Sequence, residues 1–300
     1  LFAFRIGWLI IFTGLISISA VSLGFTGYFA DLFGITEEAS RHIVPLISIG
    51  LIILMGFINF LGIKETSRTN IFMTSTVILG LLIIIALGIG SGSFGSVDYF
   101  EMPKGLSGVL IAASLIFFAF LGFEEIVNVA EETKQPTRVL PKAIILAVVI
   151  STVLYVFTSL SVVSLEGWRT LTDSRAPLAD VAANFLGHNG GIILSAIALF
   201  ATGSTVLGLI LVTSRMIWGM ARSGALPKIL SFIQGRSTPV AAIVATAAAS
   251  AAFVFLGDLE YVASVTSAGA LIVFLNVNLA LIWMRFMKPD FKRPFKIPLN

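Results

Sequence analysis

Cysteine is absent from the 300 residues, charged residues make up only 12%, and histidine occurs twice. Without thiols there is no disulfide framework and no thiolate metal site, and the redox compartment stays open. His42 and His188 stand alone, far from any ligand cluster, so neither a metal centre nor a cofactor is expected. So little charge excludes an ordinary water-soluble domain, in which about a quarter of residues are charged. No phosphate-binding G-x-x-x-x-G-K-[ST] loop occurs, which argues against ATP-driven chemistry. No nucleophile-and-base motif argues for an enzyme. The pI is near 9.3 and the net charge +3. No basic run interleaved with aromatics accompanies them, so nucleic acid is not an expected partner.

What is present is apolar. Hydrophobic residues make up 57% of the chain, and the mean hydropathy is +1.01. One water-soluble core could not hide that much apolar surface; a lipid bilayer solvates it. Twenty-seven glycines fit close helix approach in lipid. A spanning helix needs about 20 apolar residues. Eight stretches qualify, near 6–29, 43–62, 70–92, 106–130, 141–165, 190–214, 240–257 and 262–284. The chain thus reads as all-α, a single polytopic transmembrane domain. It begins without a methionine, inside an apolar run with Arg5 at its edge and no cleavage pattern. A fragment lacking its first residues is expected, rather than a signal peptide.

Pro45 and Pro239 fall at the expected first turns of their spans, and the other prolines in or beside loops. No proline then interrupts a span, so a broken helix has to break at glycine. Crossing eight spans places both ends on one side, together with all but Arg41, Lys104, Arg169 and Arg175 of the 19 lysines and arginines. The positive-inside rule makes that side cytoplasmic. Residues 215–236 read as a short interfacial helix pair turning at Gly224, and 166–189 as an outer loop over the extracellular mouth.

The fourth span carries the chemistry. Glu124 and Glu125 follow Gly122 deep in an apolar stretch. A mid-membrane charge costs at least about 2.5 kcal/mol, so it normally faces a cavity or a partner. Consecutive helical residues point about 100° apart, so both carboxylates cannot face one cavity. Irregular backbone at that depth is tolerated where it lines water or is buried by protein. A helix broken beside a carboxylate is how secondary transporters build midplane sites. The plainer alternative is a packing glycine and an interfacial glutamate.

The segment GFEEIVNVAEETKQPTRVLPKA (122–143) resembles the signature of the amino acid–polyamine–organocation permeases. SRMIWGMARSGALPKIL (214–230) is similar to a later cytoplasmic loop of that family, and INFLGIKETSRTN (58–70) to an earlier Asn-x-x-Gly-x-Lys segment. The resemblance implies part of a five-plus-five inverted-repeat, LeuT-like transporter fold, with the eight spans matching helices three to ten. The implied function is secondary active transport of amino acids or related amines by alternating access, ion-coupled or by exchange, in the plasma membrane. A channel or non-transporting sensor on the same scaffold is the alternative. Carried over by position, Phe118 is an aromatic gate and Ala119 to Phe123 an unwound stretch. Phe118, Ala119, Phe120, Gly122 and Phe123 then meet the substrate, and Glu124 is gating or proton-linked. The phenylalanines also read as ordinary packing aromatics. Ser204 and Thr205 match a sodium-site position, although such hydroxyls also satisfy helix carbonyls. The lysine that replaces this sodium in some members is absent, Val77 standing at its position. Expected partners are thus the small-molecule substrate, a proton or sodium, and the lipid bilayer.

Overall fold

The computed structural model describes residues 2–35, 37–95, 97–123, 126–127, 130, 133–172, 174, 176–233, 238–255, 259–288 and 290. Its regular elements are helices: α1 (Phe2–Leu32), α2 (Glu37–Leu61), α3 (Ile63–Gly90), α4 (Gly105–Ile116), α5 (Pro136–Glu166), α6 (Trp168–Leu171), α7 (Pro177–Leu186), α8 (His188–Arg222), α9 (Val240–Val254) and α10 (Leu259–Met287).

Each expected span contains a helix, but among the described residues six helices are long and apolar enough to cross a membrane. The other two, α4 and α9, are short. The 12 residues of α4 rise about 18 Å at 1.5 Å each. That falls short of the roughly 30 Å hydrocarbon layer.

Several boundaries differ from expectation. Residues 63–69 are helical rather than loop, because Gly62 makes the turn at φ +120°. The hydroxyl of Thr66 then donates to the Gly62 carbonyl at 3.0 Å, closing the first turn of α3. Since α2 starts at Glu37, Pro45 lies inside the helix and not at its first turn. Pro136 opens α5, with φ already fixed for a helix, so Pro141 too lies inside one. Residues 215–222 continue α8 instead of forming a separate interfacial helix. The chain does turn at Gly224, φ +79°, and only a 3-10 turn, Lys228–Ser231, follows. The indole N–H of Trp218 donates to the Ser231 carbonyl at 3.1 Å, pinning that turn back onto α8. Residues 168–171 and 177–186 are helical, not loop.

The bundle is built around α1, which packs on α8, α10, α2 and α9. Ile18, Ile52, Met55, Leu207 and Ile210 fill the junction of α1, α2 and α8. Small residues allow these helices to approach closely, as lipid-embedded packing requires. A Cβ at Gly14 would collide with the Thr213 side chain of α8, and one at Gly269 would lie 2.8 Å from the Thr13 hydroxyl. Buried polar groups bridge helices as well. The Ser19 hydroxyl donates to the Ser250 carbonyl at 2.6 Å, and the Asn59 amide to the Leu207 carbonyl at 3.0 Å. A second cluster joins α3, α5, α7 and α8 through Ile84, Val162, Val181 and Leu194. It shows why α7 is held: its apolar face is buried among these helices.

Glu101 accepts from Arg169 at 2.7 Å and from the Trp168 indole at 3.0 Å. This contact ties the chain ahead of α4 to the short helix after α5. By contrast, α4 buries none of its residues. Much of the apolar surface of α5 is exposed as well, Ile145, Leu146, Val149 and Val153 among it. The outer flanks of both helices therefore suit lipid or further protein.

Candidate functional site

The site is built where α4 stops. After Ile116 the chain tightens into a 3-10 helix, Phe117–Phe120, and then turns at Leu121 and Gly122. Gly122 has φ +115°, and among the described residues a Cβ there would meet no heavy atom within 4 Å. Glycine is thus needed for its backbone conformation, not for clearance. The departure from α geometry begins at Phe117, earlier than the Ala119 expected, which is also why α4 is short.

Neighbouring helices hold the break by aromatic contacts. The Phe274 ring of α10 lies 6.1 Å from Phe117 and 5.8 Å from Phe123. From the α5 side, the Tyr155 ring meets Phe120 edge-on at 5.1 Å. Edge-to-face pairs at such separations add about 0.5–1.5 kcal/mol each beyond simple burial. The Tyr155 phenol also donates to the Ala119 carbonyl at 3.0 Å. That bond takes up a backbone acceptor in irregular chain, which is how breaks survive at membrane depth.

Two cavities flank the break. The larger, about 720 Å³, lies between α1, α8, α10 and the broken stretch. Ala119 and Gly122 line it, with Thr13, Gly14 and Ser17 of α1, Thr202 and Thr205 of α8, and Phe274 of α10. Its described walls are apolar side chains, hydroxyls and backbone, with no formal charge. That is the usual make-up of a small-molecule site, apolar with a few placed polar groups. The smaller cavity, about 180 Å³, lies between the break and α5 and is lined by Phe120, Phe123, Ser151 and Tyr155, among others.

The expected residues therefore divide. Gly122 faces the large cavity, Phe120 and Phe123 line the small one, and Ala119 lines both. Phe118 has its backbone in the 3-10 helix, but its side chain, and all of Glu124 and Glu125, lie outside the described residues. Thr205 lines the large cavity and donates to the Ala201 carbonyl at 3.1 Å. Ser204 donates to the same carbonyl at 2.9 Å. Both hydroxyl protons thus serve their own helix, and the oxygens keep acceptor capacity.

Sequence reasoning missed the α1 wall, Tyr155 and Phe274. A signal for α1 was available: Ile10, Thr13, Gly14, Ser17 and Val21 all line the cavity and recur at three- and four-residue spacing. That spacing marks one helix face. Tyr155 and Phe274 gave no such signal, since single aromatics in apolar spans look like packing.

A profile of the amino acid permease family matches residues 1–300. The chain is 32% identical to the branched-chain amino acid permease BcaP of Bacillus subtilis, over 99% of this chain and 67% of that protein. It is 30% identical to the methylthioribose transporter of the same organism, over 99% and 67%. It is 29% identical to the vacuolar cationic amino acid transporter 4 of Arabidopsis thaliana, over 96% of this chain and 51% of the relative. The chain therefore spans about two thirds of the bacterial relatives and half of the plant one. These relatives are transporters rather than enzymes, and the long apolar helices are those of an integral membrane protein. Matched along its whole length, this chain belongs to the amino acid permease family.

Proposed function

We propose that the protein moves amino acids or related amines across a membrane by alternating access, with substrate lodging in the 720 Å³ cavity against Ala119 and Gly122. One observation carries this reading: in a member of a permease family, a cavity of about 720 Å³ opens onto a glycine break in an apolar helix. Irregular backbone of this kind offers carbonyls to an ammonium group and amides to a carboxylate. The substrates in the names of the relatives, branched-chain and cationic amino acids among them, support an amino acid as cargo. The uncharged described walls favour a neutral one.

Finer assignments extend the same reading. Phe118 gates the substrate, Phe120 and Phe123 complete its surroundings, and Glu124 links transport to protons. Ser204 and Thr205 are the candidate ion site, for which Thr205 at the cavity wall is the stronger member. The protein resides in the plasma membrane, with the lysine- and arginine-rich side facing the cytoplasm.

Uptake of radiolabelled amino acids by the full-length protein in proteoliposomes tests the proposal. Saturable uptake stimulated by counterflow is expected, and silence across a broad panel rejects it. In the same assay, Glu124→Gln flattens the pH dependence of uptake; an unchanged profile removes the role given to Glu124.

A further inference from the structure

The two cavities share a wall, and one side chain from outside the break belongs to both. Tyr155 of α5 lines the large cavity and the small one, as do Ala119 and Leu121 of the break itself. Its contacts are specific. The phenol donates to the Ala119 carbonyl at 3.0 Å across 36 residues of sequence, and the ring stands edge-on to Phe120 at 5.1 Å. On the other side of the break, Phe274 holds Phe117 and Phe123. The broken stretch is thus gripped from two helices, and the α5 grip includes a hydrogen bond to its backbone.

We propose that Tyr155 is a positioning residue for substrate binding: its hydroxyl fixes the Ala119 carbonyl and its ring fixes Phe120, so that together they set the backbone a substrate meets. The assignment rests on the transport reading above. Ala119 lines the substrate cavity, so a shift of its peptide alters the site directly. The stretch is not fixed by α-helical geometry, since α4 ends at Ile116 and Gly122 allows backbone conformations closed to other residues. A hydroxyl that orients one carbonyl therefore acts on affinity more than on folding.

Kinetics of the full-length protein in proteoliposomes, with Tyr155→Phe and Tyr155→Leu beside the unmodified protein, separate these roles. Tyr155→Phe keeps the ring and removes only the donor. It is expected to raise KM about threefold to tenfold, the size of one net hydrogen bond. Vmax should stay within about twofold, and the melting midpoint of the purified protein within about 2 °C, as for a change confined to one contact. Tyr155→Leu also removes the contact with Phe120 and should raise KM further. Uptake by the unmodified protein with KM unmoved in both variants overturns this assignment alone. So does a loss that follows the amount of folded protein at constant KM. Absence of uptake by the unmodified protein overturns the transport reading and this assignment with it.

Discussion

Gly122 carries the local chemistry of the break. At φ +115° an L side chain is strained whatever the space around it, and no atom of the described residues crowds the position. Gly122→Ala therefore tests conformation without a packing term. A residue forced into such a region costs about 1–3 kcal/mol. The variant should lose at least half of the uptake and melt several degrees lower; a protein unchanged in both measurements would show that the turn is not needed. The glycine was legible in the sequence because it precedes two carboxylates in an apolar run. Its partner in holding the break, Tyr155, was not, since a hydrogen bond across 36 residues leaves no local pattern. Ser204 and Thr205 were legible as a hydroxyl pair. Which of them faces the cavity depends on helix rotation, and packing against other elements sets that.

Among elements, α1 organises the bundle, and its contact with α8 is the tightest place to probe. Gly14 and Thr213 occupy one crossing, where an added methyl at 14 meets the threonine hydroxyl and, at 3.3 Å, its methyl. Gly14→Ala should lower the melting midpoint, by about 1–3 kcal/mol of overpacking. Thr213→Ala removes both colliding atoms and leaves a Cβ 3.4 Å away, an ordinary contact. The double variant should recover most of the loss, a coupling that a double-mutant cycle reads directly; additive losses would mean that the helices do not meet there. Element existence was well marked by hydropathy, while element ends were marked poorly. Lys64, Glu65 and Arg68 suggested a loop, yet a helix continues past the apolar layer when a turn such as Gly62 has already supplied its start. The same holds for Arg215 and Arg222, which extend α8 beyond its apolar part. Charge sequence patterns report where a bilayer ends, and backbone turns decide where a helix does.

For the whole molecule, the proposed orientation rests on the distribution of lysine and arginine, because cytoplasmic flanks retain positive charge during insertion. The short helices α4 and α9 leave this parity argument intact if each still carries the chain across, with irregular backbone completing the passage through α4. A chain with no cysteine permits a direct measurement. Single cysteines at Lys104 and Arg169 should react with a membrane-impermeant maleimide in intact cells, and those at Arg138 and Lys228 only after permeabilisation. Arg169 also bridges to Glu101, so Lys104 supplies the outer position free of that ion pair. The reverse pattern would invert the orientation while leaving the fold untouched. A mixed pattern, with Lys104 and Arg138 labelled on the same side, would mean that the broken α4 segment enters and leaves by one face. The break would then belong to a re-entrant segment, and alternating access around a through-membrane α4 would have to be abandoned.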